Sequence, residues 1–211
     1  MKDRFEPNVI LAPMTVALLT EVPLAPVTEL GPYRRQDYEG LPDEARCELL
    51  YGRLYASPSP NPRHQVVVAA IWAALHRIAR TTGGIAFVAP LDVILADHSV
   101  VQPDVIYLTA ASRGIIGERL EGAPDLVVEV LSAGTIRRDR GDKLALYAET
   151  GIREYWIVDP TERQIEFLVN ENGRFVVALP AGAGYRSQAL PELHLDLLAF
   201  WREVDETLSG T

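Results

Sequence analysis

The sequence predicts an α/β fold in which a mixed central β-sheet is flanked by helices and carries extra β-hairpins. Residues 64–80 are apolar almost all round a helix that ends at Gly83-Gly84. Residues 154–158 (EYWIV) form a near-continuous apolar run, typical of a central strand buried on both faces. A helical pattern over 138–150 precedes this run and follows the apolar run 126–131, so it supplies the crossover that parallel strands require.

The remaining elements follow from turn signals and apolar periodicity. The Pro-rich loop 57–62 separates the first hairpin from the long helix. In chain order we expect a short helix at 34–40, a hairpin over 48–56, the helix 64–80, strands at 85–95, 100–108 and 126–131, the helix 138–150, the strand 154–158, a hairpin over 164–169 and 173–179, and a helix at 197–208. The strands before residue 131 are expected to be antiparallel, because short turns join them.

Composition indicates one soluble domain over residues 31–211. The chain has 211 residues, of which 48% are hydrophobic and 23% charged. We expect residues 1–30 to form an extended or flexible arm, because Pro13 interrupts their apolar run at 9–19, which is too short to span a membrane. Cys47 is the one cysteine, so no internal disulfide can form, which agrees with a cytoplasmic location.

The net charge of −9 argues against a nucleic-acid partner, because phosphate binding depends on Lys and Arg. The distribution of charge softens this objection. Residues 51–80 contain four arginines and no acid, and residues 137–143 add a second basic stretch. Two interpretations stay open, which are a local basic face on an acidic protein and solvated charges with no partner.

Two acids lie inside apolar strands, and this is the feature most informative about chemistry. Side chains alternate along a strand, so Glu129 shares a face with Val127 and Leu131, and Asp104 shares one with Ile106. If the two strands are neighbours, the carboxylates converge and offer Mg²⁺ the oxygen ligands that it prefers.

Other interpretations of these acids remain open at this point. Pro103-Asp104 is also a common turn dipeptide, and Glu129 is equally explained as the buried partner of an arginine such as Arg138. Asp92 belongs either to the same site or to a turn. Asp139 and Tyr147 lie one helical turn from Lys143, where Asp139 either orients the ammonium or forms a surface pair.

Several ordered segments, covering about residues 33–200, resemble the Uma family of putative restriction endonucleases in the PD-(D/E)xK nuclease superfamily. They are CELLYGRL (47–54), SPNPRH (59–64), DVIL (92–95), VQPD (101–104), APDLVVEVLS (123–132), DKLALY (142–147) and GIREYWIVDP (151–160). The resemblance implies a restriction-endonuclease-like core. It implies that Asp104 and Glu129 hold a metal and that Lys143 is the catalytic lysine, since Leu131 stands where the superfamily pattern places one.

The resemblance leaves two roles for Glu48, an additional metal ligand or a solvent-facing strand acid. Arg63 and His64 lie where a basic loop meets a helix N-terminus, so we expect them, with Arg138, to contact nucleic acid. The alternative is that Arg63 and His64 only begin the helix. The predicted function is a metal-dependent endonuclease that uses Mg²⁺ or Mn²⁺ on DNA. The alternatives are a catalytically inactive binding or scaffold protein and, with less support, a glycoside hydrolase. The apolar helix surface at 66–75 also predicts a homodimer.

Overall fold

The computed structural model describes residues 29–42 and 45–210. The predicted arm therefore lies outside the described residues, apart from residues 29 and 30. The helices are α1 (Arg35–Glu39), α2 (Pro62–Thr82), α3 (Ile136–Asp139), α4 (Asp142–Glu149) and α5 (Leu197–Ser209), and a 3-10 turn spans Ala111–Ile115. The strands are β1 (Cys47–Leu50), β2 (Arg53–Ala56), β3 (Ile85–Val88), β4 (Val93–Ala96), β5 (Ser99–Val101), β6 (Val105–Leu108), β7 (Leu120–Glu121), β8 (Leu126–Val130), β9 (Glu154–Asp159), β10 (Gln164–Glu171), β11 (Arg174–Ala178), β12 (Gly184–Arg186) and β13 (His194–Asp196).

The central sheet has six strands in the order β11-β10-β9-β8-β6-β3. Its pairs are antiparallel except for β8 and β9, which run parallel and are connected through α3 and α4. The predicted mixed sheet and its helical crossover are therefore confirmed. A second sheet has the order β2-β1-β5-β4-β7, and β12 pairs with β13.

The two faces of the central sheet pack against different partners. On one face, Val128 and Trp156 pack in a cluster that includes Ile71 of α2 and Trp201 of α5. The other face packs against α4 and the second sheet, in a cluster that includes Val127. Since side chains alternate along β8, Glu129 faces the side of α4 and the second sheet.

Two predicted strands are each divided by a proline. The run 85–95 separates into β3 and β4, which belong to different sheets, with Pro90 between them. The run 100–108 likewise separates into β5 and β6 at Pro103. Proline has no N–H to donate to a strand ladder, so it ends the pairing at both places.

The predicted helix 138–150 is also divided, into α3 and α4. The break falls at Gly141, where a Cβ would lie 2.7 Å from the carbonyl oxygen of Arg137. The long helix packs against both the central sheet and α5, but it is not buried all round, because Ala69 and Ala73 are exposed on its outer surface. Alanine counts as apolar in the sequence pattern, so this exposed surface could not be distinguished from a buried helix face. Within residues 29–42 and 45–210, no helix combines the length and the apolarity needed to cross a membrane.

A buried carboxylate anchors the C-terminal segment to the central sheet. Glu154, fully buried at the start of β9, accepts hydrogen bonds from the side chains of Trp156, Tyr185 and Ser187. The backbone N–H groups of Gln188 and Ala189 also donate to it. These five donors satisfy a carboxylate that has no cationic partner among the described residues.

Candidate active site

Asp104 and Glu129 are neighbours across two adjacent strands. Antiparallel β6 and β8 pair with Val105 opposite Val128, so continuing the register by one residue places Asp104 opposite Glu129. The Oδ2 atom of Asp104 accepts a hydrogen bond from the Val130 N–H at 2.7 Å. The sequence predicted that the two acids converge if their strands are neighbours. The structure meets that condition, because β6 and β8 are adjacent.

Lys143 of α4 reaches the same point from the helix layer. Its Nζ atom donates to Glu129 Oε1 at 2.7 Å and lies 2.8 Å from Glu48 Oε1. The Tyr147 hydroxyl, one helical turn further on, also donates to Glu129 Oε1 at 2.7 Å. Asp139 Oδ1 lies 3.8 Å from the ammonium and is buried with no hydrogen-bond partner among the described residues. The Lys143 side chain is only 4% exposed, so its interpretation as half of a surface pair is wrong.

Glu48 connects this cluster to the second sheet. The Gln102 N–H donates to its Oε1 atom at 2.8 Å, and Arg138 donates to its Oε2 atom at 3.2 Å. The Arg138 guanidinium also lies over the ring of Tyr55, 4.8 Å from the ring centre. Glu48 is therefore not a solvent-facing strand acid, and Arg138 pairs with Glu48 rather than with Glu129.

The cluster carries an excess of negative charge. It combines four carboxyl groups, from Glu48, Asp104, Glu129 and Asp139, with the permanent cations of Lys143 and Arg138. Burial raises the pKa of Glu129 well above its usual range, against the opposing effect of the Lys143 charge. Burial also raises the pKa of Asp139. Burial alone would lower the pKa of Lys143, but Glu129, Glu48 and Asp139 together raise it, so the ammonium stays charged.

Two carboxylate oxygens in the cluster are available as ligands for a divalent cation. Among the described residues, neither Glu129 Oε2 nor Asp104 Oδ1 accepts a hydrogen bond. No group of three or more His, Cys, Asp or Glu side chains in that part of the chain is arranged to hold a metal ion. Mg²⁺ is commonly bound through one or two carboxylates and keeps several waters, so two free oxygens beside an excess negative charge are a suitable donor set.

The predicted nucleic-acid contacts have partners within the protein. Arg63 donates to the Pro160 carbonyl at 2.7 Å and pairs with Asp205 of α5 at 3.0 Å. The ring of His64 is buried, with Nε2 3.3 Å from Asp104 Oδ2. Asp92 belongs to a separate network, in which it accepts hydrogen bonds from Tyr38 and Gln102 and pairs with Arg119.

Sequence reasoning missed two supports of the cluster. Gln102 contacts Glu48 through its backbone N–H. Every residue except proline has this group, so the residue type does not indicate the contact. The Tyr155 hydroxyl donates to the Asp139 carbonyl at 3.0 Å. Tyr155 lies in a near-continuous apolar run, so the sequence did not suggest a polar contact there. The i+4 spacing of Lys143 and Tyr147 was the signal available for the Tyr147 contact.

The family model Uma2, described as "Putative restriction endonuclease", matches residues 35–198. The chain belongs to the Uma2 family. The match spans all the cluster residues, from Glu48 to Lys143, and it confirms the family that the motifs indicated. No curated protein matches this Uma2 chain.

A solved structure supports the same fold for this Uma2 protein. The chain is similar to the 1.96 Å crystal structure of a putative nuclease belonging to DUF820 from Anabaena variabilis ATCC 29413, with a TM-score of 0.71. The sequences are 18% identical, and the alignment covers 82% of this chain and 99% of that one. The likeness confirms the nuclease-like α/β fold.

Proposed function

We propose that this Uma2 protein is a metal-dependent endonuclease that hydrolyses phosphodiester bonds of nucleic acid, with DNA as the substrate. One observation carries the proposal. Two adjacent acids, Asp104 and Glu129, lie beside a buried lysine whose Nζ is 2.7 Å from Glu129. Acids paired with a lysine are the groups that metal-assisted phosphodiester hydrolysis needs, and the Uma2 family membership supports that chemistry.

Asp104 and Glu129 would hold Mg²⁺ or Mn²⁺ through their free oxygens, Oδ1 and Oε2. The ion, when bound, polarises the phosphodiester and makes water a stronger nucleophile. Lys143 contributes a fixed positive charge that stabilises the negative charge developing on the phosphate. Tyr147 and Glu48 orient the ammonium through contacts to Glu129 and to Lys143 itself. In this arrangement Glu48 positions Lys143, and it binds the metal only if its contacts with Lys143 and Arg138 rearrange.

A second candidate, a catalytically inactive binding protein on the same fold, is favoured by a different observation. Lys143 pairs with both Glu129 and Glu48, and Arg138 also pairs with Glu48. The cluster is therefore a connected ion-pair network that is stable as a structural feature. Binding of a divalent cation distinguishes the two candidates, because the inactive protein does not need it.

The test measures cleavage of plasmid and single-stranded DNA with Mg²⁺, Mn²⁺ or Ca²⁺, together with calorimetry of metal binding. We expect Glu129→Gln to abolish cleavage and weaken metal binding, since it removes one anionic ligand. Glu171→Gln, at an exposed strand end, is the matched control and is expected to behave as the wild type. Cleavage by Glu129→Gln at the wild-type rate would refute the assignment, and a wild type that neither binds metal nor cleaves DNA would favour the inactive candidate.

The predicted homodimer is part of the same proposal. Ala69 and Ala73 form an exposed, uncharged strip on the outer surface of α2 that suits close helix packing. Analytical ultracentrifugation of the wild type and Ala73→Glu tests it. A dimer that persists unchanged in Ala73→Glu would exclude this surface, and a wild-type monomer would exclude the dimer.

A further inference from the structure

Two nitrogen atoms contact one oxygen of the Asp104 carboxylate. The Val130 N–H donates to Oδ2 at 2.7 Å, and His64 Nε2 lies 3.3 Å from the same atom. Within residues 29–42 and 45–210, the other oxygen, Oδ1, accepts no hydrogen bond. A carboxylate otherwise rotates broadly about its terminal torsion. The hydrogen bond from Val130 and the contact with His64 on Oδ2 favour one orientation and leave Oδ1 available.

The backbone of His64 is fixed independently of its ring. His64 lies in the first turn of α2, where Asn61 Oδ1 accepts a hydrogen bond from the His64 N–H at 2.9 Å. Pro62 begins the helix with a backbone angle that suits this position. The ring therefore projects from a rigid helix end, and small changes in a loop do not displace it.

The surroundings of the His64 ring point to a single polar function. The residue is 7% exposed, and in the part of the chain that the structure describes its buried Nδ1 has no hydrogen-bond partner. An unpaired buried nitrogen is unfavourable, so an apolar side chain of similar size would be more stable here if packing were the ring's purpose. The contact of Nε2 with Asp104 is the feature that an apolar side chain would not supply.

We propose that His64 is a positioning residue that orients Asp104 for metal binding. By contacting Oδ2 it leaves Oδ1 free for a metal ion that Glu129 would share. The effect of His64 on metal binding rests on the proposed function. This role replaces the predicted contact between His64 and a phosphate group. Hydrogen-bond partners of metal ligands typically change metal affinity by about 10–100-fold when they are removed.

The test compares His64→Gln with His64→Asn. The amide nitrogen of Gln lies about where histidine has Nε2, so Gln keeps a donor for Asp104. The Asn side chain is one carbon shorter and places its nitrogen near the position of Nδ1. Both variants are neutral and polar, and they differ in whether a nitrogen donor reaches Asp104; the smaller Asn also leaves a larger cavity, which lowers stability but not specifically the affinity for Mn²⁺.

We expect calorimetry with Mn²⁺ to give a near wild-type Kd for His64→Gln and a Kd raised about 10–100-fold for His64→Asn. Cleavage by His64→Asn should recover at saturating Mn²⁺ with the KM for DNA unchanged. Equal Mn²⁺ affinities in the two variants would overturn the proposal. A raised KM for DNA with unchanged Mn²⁺ affinity would overturn it in favour of a phosphate contact.

A measurement on the metal-free protein separates this inference from the proposed function. Long-range ¹H–¹⁵N spectra should show the His64 Nε2 resonance shifting in Asp104→Asn, because the hydrogen-bond acceptor has changed. An Nε2 resonance that does not respond would overturn the positioning role even if the wild type cleaves DNA. A response in a protein that binds no Mn²⁺ would support the contact but overturn its role in metal binding, together with the nuclease proposal.

Discussion

Replacing Lys143 with Met should destabilise the protein strongly. The Lys143 ammonium lies 2.7 Å from Glu129, 2.8 Å from Glu48 and 3.8 Å from Asp139, and its side chain is 4% exposed. Met has a similar length but no charge, so the variant leaves buried carboxylates without their shared cation. Breaking a buried ion pair by removing one partner costs about 3–5 kcal/mol. That loss is a large part of the roughly 5–15 kcal/mol by which a domain is stable.

Equilibrium unfolding in urea measures this effect. With an m value of about 2 kcal/mol/M, a loss of about 4 kcal/mol lowers the urea midpoint by about 2 M. Arg202→Met is the matched control, because Arg202 is 73% exposed and lies 4.0 Å from Glu206. Exposed pairs of this kind contribute about 0–1 kcal/mol.

A second substitution tests the cause of the destabilisation. Glu129→Gln in the Lys143→Met background should recover part of the loss, because it removes one of the unpaired carboxylates. Residues in direct contact typically show interaction energies of about 0.5–3 kcal/mol in such double-mutant cycles. A Lys143→Met midpoint within the range of the Arg202→Met control, or strictly additive effects, would refute the buried-cation reasoning.

Three further outcomes are expected. Glu154→Ala should lower the free energy of unfolding by more than about 3 kcal/mol, because five donors, four of them buried, lose their acceptor; a smaller loss in thermal denaturation would mean that water replaces the carboxylate. Gly52→Ala should lower the free energy of unfolding by about 3 kcal/mol, because φ is +75° and a Cβ would overlap the Gly31 carbonyl oxygen. Gly173→Ala, at φ +83° in open space, should lower it by only about 1–2 kcal/mol. Arg137→Ala, which removes an exposed cation with no partner among the described residues, should reduce the salt slope of DNA binding by about 1, and an unchanged slope would place DNA elsewhere.

Local periodicity was sufficient to predict the central architecture. The two-residue alternation in 126–131 places Glu129 on an apolar face, and the helical pattern between residues 131 and 154 identifies the crossover. Both signals depend on neighbours along the chain, so they are visible in a single sequence. Pro90 and Pro103 were the signals in the sequence that each predicted strand is divided. Apolar residues continue past each proline, however, so the sequence does not show that the two halves belong to different sheets.

The pairing inside the candidate site could not be predicted in the same way. Glu48 and Arg138 are 90 residues apart, and His64 and Asp104 are separated by 40, so only tertiary packing brings each pair together. The burial of Lys143 was missed for a related reason. Its helix pattern leaves the ammonium equally close to solvent or to a sheet, and the acids that stabilise it in the interior come from three other elements, β1, β8 and α3.

The scarcity of lysine gives the buried ammonium a practical consequence. The chain has eighteen arginines and two lysines, of which Lys2 lies outside the described residues. Amine acylation requires an accessible, deprotonated Nζ, and Lys143 is buried with a raised pKa. Its acylation rate therefore reports how often the interior opens. Acylated Lys143 resists trypsin, so each opening is recorded as an intact tryptic peptide spanning residues 141–153, which mass spectrometry counts without any engineered label.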